Sequence, residues 1–165
     1  MLLAVISDTH LPRGARRLPD ACVERLRSAD LILHAGDFSA VSVLDEIEAI
    51  GPPVAAVHGN VDDPLVRARV PAARMVQAGG ARIAMVHDAG AAARRLPRMR
   101  ERFPDADAVV FGHSHIPLHE RDPGTGFQIF NPGSPTDRRR HPTHTMGLAR
   151  VADGELRFEL VDLGP

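Results

Sequence analysis

The sequence predicts an α/β fold whose last third turns to antiparallel β. Three observations point there: short unbroken apolar runs, helical stretches between them, and hairpin signals after His115. Apolar runs without polar alternation read as strands buried on both faces. Leu2–Ile6 is the first, followed by Leu31–Leu33, Val54–Val57, Ile83–Val86 and Ala108–Phe111. Between the first two, Pro19–Ser28 sets Cys22, Val23 and Leu26 among charges, with Pro19 suited to a first helical turn. Ser39–Ile50 repeats Val43, Ile47 and Ile50 at helical spacing, with Ser39 or Ser42 as N-cap. Ala89–Phe103 also suits a helix, which Pro97 should restart or kink. Strands alternating with helices define the α/β class. After His115, Asp122-Pro123-Gly124-Thr125-Gly126 is a turn cluster and Phe127–Phe130 a short strand. Asp153-Gly154 then joins Gly147–Val151 to Leu156–Val161 as a hairpin.

A length of 165 residues suits one compact unit, so residues 1–165 are expected to form a single domain. The 20 basic residues are all Arg; they face 21 acidic ones, leaving a formal charge of -1 with nine histidines outside the sum. That balance, with no Trp or Tyr for base stacking, argues against nucleic acid as a partner. The single Cys22 can form neither an internal disulfide nor a thiolate zinc cage, and on an apolar helical face it reads as core. The apolar N-terminal run is too short for a signal peptide or a membrane span, so a cytoplasmic protein without membrane contact is expected.

Most of the apolar runs end in a polar residue beside a glycine or in a histidine. Asp8 and His10, Asp37, Asn60, His87, and His113 with His115 thus lie at or just past the C-terminal ends of expected strands, where open α/β sheets build their ligand sites. Singly, each has a plain structural explanation: Asp8 or Asp37 could cap a helix, Asn60 could close an Asx-turn, and a strand-end His is commonly a packed group. Seven O and N donors at five successive strand ends instead fit divalent metal. One ion needs three or four of them, so seven suggest two ions sharing a ligand. Asp37 is the best shared ligand, because a carboxylate can offer one oxygen to each ion. Two ions about 3.5–4 Å apart lower the pKa of a bridging water and clamp an in-line phosphoryl displacement, so the expected chemistry is phosphate-ester hydrolysis.

The order Ser7-Asp8-Thr9-His10, Gly36-Asp37, Gly59-Asn60, His87 and Gly112-His113-Ser114-His115 resembles the motifs of the calcineurin-like metallophosphoesterases, in particular their small YfcE-like phosphodiesterase branch. Asn131-Pro132-Gly133-Ser134 resembles a further segment of that branch. The resemblance implies a four-layer αββα sandwich of mixed sheets, completed by the antiparallel C-terminal strands. It implies Asp8, His10 and His115 on one metal, Asn60, His87 and His113 on the other, and Asp37 bridging, with a metal-bound hydroxide as nucleophile. Asp37, Asn60 and His113 are the expected catalytic residues of this set. Manganese is the favoured ion, with iron, zinc, nickel or cobalt as alternatives. The expected substrate is a small or nucleotide-like phosphodiester; a phosphomonoester, or a non-catalytic interaction scaffold of the Vps29 kind, is the alternative.

Two positions depart from the family pattern. Val61 stands where the larger family often has a His that assists the leaving group, which favours esters with easily expelled alcohols. Asp88 stands after His87 in place of the more familiar Gly. Outside the motifs, His34 and His58 read as packed strand-end groups or orienters of ligands, and Asp62 as the cap of a following helix. His119, His141 and His144 read as loop residues, any of which could lend the missing proton, and Arg138–Arg140 as a solvated basic loop. Loops 11–18, 61–75, 88–100 and 116–126 are expected to carry substrate choice.

Overall fold

Each short apolar run becomes a strand, and alternate residues of a strand enter different cores. In the computed structural model, which describes residues 1–165, the first sheet contains β1 (Leu2–Ile6), β2 (Leu31–His34) and β3 (Val54–Ala56). The second contains β4 (Ala73–Ala78), β5 (Ala81–Val86), β6 (Ala108–Val110), β7 (Leu118–Arg121) and β8 (Gln128–Asn131). The C-terminal hairpin, β9 (His144–Ala152) and β10 (Glu155–Gly164), returns to the first sheet. The helices are α1 (Asp20–Arg27), α2 (Val41–Glu48), α3 (Pro64–Arg69) and α4 (Arg95–Arg102).

Strand order is β10-β9-β1-β2-β3 in the first sheet and β4-β5-β6-β8-β7 in the second. β1, β2 and β3 pair in parallel, and β9 adds antiparallel to β1. β5, β6 and β8 are likewise parallel, flanked by antiparallel β4 and β7. Leu3 and Val5 meet Ile83, Met85, Ala108 and Val110 in a core between the sheets. The intervening Ala4 and Ile6 face Cys22 and Leu26 of α1, Val43, Leu44 and Ile47 of α2, and Val66 of α3. Ala84, Val86, Val109 and Phe111 pack with Met99 of α4 on the far side. The layers are therefore αββα, with mixed sheets and antiparallel C-terminal strands. No helix is long and apolar enough to cross a membrane.

Several local expectations are corrected. α2 begins at Val41 and its N-cap is Ala40, so neither Ser39 nor Ser42 caps it; the Val41 N–H is given instead to Asp63 Oδ2 at 3.2 Å. Ser39 is held out of the helix at φ 86°, with its N–H given to the Asp62 carboxylate. The helix expected from Ala89 starts only at Arg95, which puts Pro97 in the first turn, where a missing N–H costs nothing. Residues 89–94 instead form a loop whose carbonyls are gathered by Arg95 and Arg98. Loop 61–75 contains α3 and the start of β4, and loop 116–126 contains β7; both strands are too polar to read as apolar runs. Asp63, not Asp62, caps α3, accepting the Val66 N–H at 2.8 Å.

Ile83 is fully buried between the sheets. Ile83→Ala should lower unfolding free energy by roughly 2–5 kcal/mol, seen as a lower urea midpoint at unchanged slope.

Candidate metal centre

The C-terminal ends of five parallel strands converge where the two sheets meet. The loops after β1, β2 and β3 bring Asp8, His10, Asp37 and Asn60 from the first sheet. Those after β5 and β6 bring His87, His113 and His115 from the second. The first two loops run side by side beyond their strands: Asp8 N–H donates to Gly36 O at 2.9 Å, His10 N–H to Asp37 O at 3.0 Å, and Leu11 N–H to Phe38 O at 3.0 Å. Five of the seven residues hold positive φ: Asp8 at 56°, His10 at 45°, Asp37 at 61°, His113 at 70° and His115 at 59°. A non-glycine residue in that region costs roughly 1–3 kcal/mol and persists only where its surroundings enforce it. Here the strain turns successive side chains inward toward one point. Close approach also explains two motif glycines: a Cβ at Gly59 would overlap the Asp37 carboxylate, and one at Gly112 would overlap Ser7 Oγ and lie 2.6 Å from Asp8 Oδ2.

All seven residues join one contact network. Asp37 Oδ2 lies between His10 Nε2 at 3.6 Å and His87 Nε2 at 3.2 Å. Asp8 Oδ1 is 3.4 Å from His115 Nε2 and 3.8 Å from His10 Nε2, and those two nitrogens are 3.0 Å apart. Asn60 Oδ1 meets His87 Nε2 at 3.2 Å and His113 Nδ1 at 2.9 Å. Asp8, Asp37, His87 and His115 are buried, His10 is partly exposed, and Asn60 and His113 are exposed. The cluster is thus closed below and open along Asn60, His113 and the edge of His10.

Backbone carbonyls set the ring protons. His87 Nδ1 contacts Ala35 O at 2.7 Å and His115 Nδ1 contacts Asp137 O, so each ring donates from Nδ1 and presents its Nε2 lone pair to the cluster. At His87 that leaves Nε2, Asp37 Oδ2 and Asn60 Oδ1, all acceptors, facing one another. Either a proton or a cation must lie among them, and a donor set of one carboxylate with neutral N and O atoms suits a divalent ion. Two groups of three offer donor atoms close enough to share an ion: Asp8, His10 and His115, and Asp8, Asp37 and His87.

The charges respond to this crowding. Burial pushes the Asp8 carboxyl up to about 7, against the pull of His87. Burial also opposes ionisation of Asp37, but the His87 ring, the Val61 N–H and His10 outweigh it and hold Asp37 down to about 2. His87 is raised: burial works against its charge, but Asp37 and Asp8 prevail. Burial lowers His115 to about 4, with the Arg139 and His10 charges acting in the same direction. Without a cation, Asp8 and His87 are therefore favoured in their protonated forms, while burial favours the neutral forms of His10 and His115.

Several supporting residues were not legible as such. The buried Asp62 carboxylate accepts the N–H groups of Asp37 at 3.0 Å, Ser39 at 2.8 Å and Gly59 at 2.6 Å, tying two ligand loops together. Arg67 on α3 gathers the carbonyls of Gly59 at 2.8 Å, Asn60 at 3.0 Å and Asp62 at 2.9 Å. Asn131 holds Gly112 O, and Ser134 Oγ donates to Asp8 O. Ser134 Oγ also accepts the N–H groups of Thr136 and Asp137, a turn that holds the Asp137 carbonyl against His115. His34 is a packed strand-end group, stacked on Phe38, bonded to Thr9 Oγ1 and accepting the Gly36 N–H. His58 is half-buried beside Arg67. Of the three histidines read as loop residues only His141 is one, since His119 lies in β7 and His144 opens β9, and none joins the cluster: His119 bonds Gln128 and packs on Phe130 and Phe158, His141 bonds Thr143 O, and His144 lines a neighbouring cleft.

Residues 1–154 match the model of the calcineurin-like phosphoesterase superfamily domain. A protein of Methanothermobacter thermautotrophicus, named a probable metallophosphoesterase, is 33% identical over 169 residues, covering 99% of this chain and 94% of the other. Vps29 of Chaetomium thermophilum superposes with a TM-score of 0.79 at 19% identity, covering all of both chains. An archaeal phosphodiesterase superposes with a TM-score of 0.71 at 19% identity over 98% of this chain and 100% of the other.

Burial holds the His34 pKa down to about 3, so the folded protein keeps this ring neutral while the unfolded chain protonates it below about 6.5. Its contribution is whole above pH 6.5 and is lost as pH falls toward 3, because the unfolded state then binds the extra proton. In His34→Gln, stability should fall less steeply between pH 4 and 6, by about 1.4 kcal/mol per pH unit. Urea titrations across that range measure the slope.

Proposed function

The chain belongs to the calcineurin-like phosphoesterase superfamily, and on that premise we propose that it hydrolyses small phosphate esters, diesters ahead of monoesters, with two divalent cations. Asp8, His10 and His115 would hold one ion, Asn60, His87 and His113 the other, and Asp37 would bridge them. The observation that carries this reading is the set of facing acceptors at His87 Nε2, Asp37 Oδ2 and Asn60 Oδ1, which a cation satisfies. Manganese is the favoured ion; iron, zinc, nickel and cobalt suit the same donors. When bound, such a pair supplies Lewis acidity toward phosphoryl oxygens and a water of lowered pKa.

The residues divide the remaining work. Asp37 holds negative charge in a buried setting, Asp8 would do so once an ion displaces its proton, and the backbone bonds to His87 and His115 keep those lone pairs aimed. Asn60 and His113, on the open side, are placed to meet a substrate oxygen. Val61 gives its backbone N–H to Asp37 Oδ1 at 3.0 Å, and its side chain has no proton to lend a leaving group, which favours esters whose alcohol leaves without help. This reading treats residues 1–165 as one catalytic domain working in the cytoplasm.

The likeness to Vps29 favours a second reading, a protein-interaction scaffold on the same fold. The strained loops and intact donor set favour chemistry, since a scaffold does not need five positive-φ residues turned to one point.

Asp37→Ala should abolish hydrolysis of bis(p-nitrophenyl) phosphate and lower bound manganese; full activity in this variant would sink the proposal. Wild-type manganese affinity should fall as pH drops below about 7, where Asp8 takes up a proton that the ion must displace, and should level off above it. Titration of free manganese against the metal-free protein at several pH values checks this dependence.

A further inference from the structure

Beside the cluster lies a basic cleft that the proposed hydrolysis does not use. It has a volume of about 570 Å³ and is lined by Arg16 and Arg17 from the segment before α1 and by Arg138 and Arg139 from the segment before β9. Asp137 is the one acidic side chain in its lining. Its carboxylate is 3.5 Å from Arg16 and 3.7 Å from Arg13. The same oxygen is 4.0 Å from His115 Nδ1, and the Asp137 carbonyl holds that nitrogen. The cleft and the candidate centre therefore share a wall: the buried His115 imidazole lies between them, stacked on the partly exposed His10 ring with centroids 4.9 Å apart.

The charge is not balanced locally. Arg17 reaches only the exposed Asp20 at 3.8 Å, Arg138 is bonded to the His141 carbonyl, and Arg139 has no ion pair. Four guanidinium groups against one carboxylate repel one another, an arrangement that a bound anion relieves. Guanidinium presents paired N–H donors that match phosphate oxygens, and a chain with a net charge of -1 has no general excess of cations to explain such a concentration.

We propose that this cleft binds a second phosphate of the substrate while the ester to be cut lies at the Asp37 cluster, so that the substrate class is a small phosphate ester bearing a further phosphate. The proposal rests on the phosphoesterase reading. It adds that Arg17 and Arg139, one from each wall, set specificity by charge and bidentate contact without touching the reacting atoms.

The test uses manganese-loaded protein and two esters that differ by one phosphate: thymidine 5′-(p-nitrophenyl phosphate) and its 3′-phosphorylated counterpart. Wild type should cleave the second with a kcat/KM at least tenfold higher, with the gain in KM, and Arg17→Ala/Arg139→Ala should bring the ratio to within twofold of unity. Equal rates on the two esters in wild type, or an undiminished ratio in the double variant, would overturn the proposal. A parallel binding measurement compares adenosine 3′,5′-bisphosphate with adenosine 5′-monophosphate. If wild type cleaves neither ester, the phosphoesterase reading fails and binding decides the cleft: a preference for the bisphosphate that disappears in the double variant upholds it, and equal binding overturns it.

Discussion

Two carboxylates, Asp8 and Asp37, are buried at the seam where the sheets meet, and much of the local structure serves to make that burial tolerable. A buried carboxylate needs paired donors or a cation. Asp8 receives the His113 N–H at both oxygens, at 3.2 and 3.0 Å, and Asp37 receives that of Val61. Three imidazoles from the second sheet complete the enclosure. The pairing thus joins the two sheets chemically at the point where their hydrophobic core ends.

From this constraint follow the loops. A strand that delivers its last side chain to a point beside its own axis must turn sharply, and here it turns through positive φ at residues that are not glycine. The neighbouring motif positions then have to be glycine because other side chains occupy the space of their Cβ, the Asp37 carboxylate at Gly59 and Ser7 Oγ with the Asp8 carboxylate at Gly112. Asp62 and Arg67 hold the Asn60 loop from opposite sides, one accepting N–H groups and the other donating to carbonyls. Strain at the ligands and hydrogen bonding beneath them are two parts of one arrangement.

Strand existence was legible because a strand buried on both faces must be apolar throughout, as Leu2–Ile6 and Ile83–Val86 are. The candidate ligands were legible because they end those strands. β4 and β7 were not, since β4 shows only Val76 and Ala78 buried and β7 is nearly all exposed; at a sheet edge little apolar sequence is required. The caps failed for a related reason. Asp62 and Asp63 are indistinguishable in sequence, and only the convergence of three N–H groups on Asp62 separates a loop tie from a helix cap. Asp137 was missed because its contact with His115 spans 22 residues and uses a main-chain oxygen, which carries no residue signature.

The open side of the cluster, framed by exposed Asn60 and His113, and the buried side, framed by Asp8 and His115, give the site a direction. On the proposed reading the ions would be held deep, whereas selection of the ester would lie in surface loops. The most direct test of this arrangement is anomalous diffraction from crystals grown with manganese. Two peaks are expected, one against Asp8, His10 and His115 and one against Asn60, His87 and His113, both in reach of Asp37. An absence of peaks at the cluster under saturating manganese, or a single peak that leaves Asp37 unligated, would contradict it.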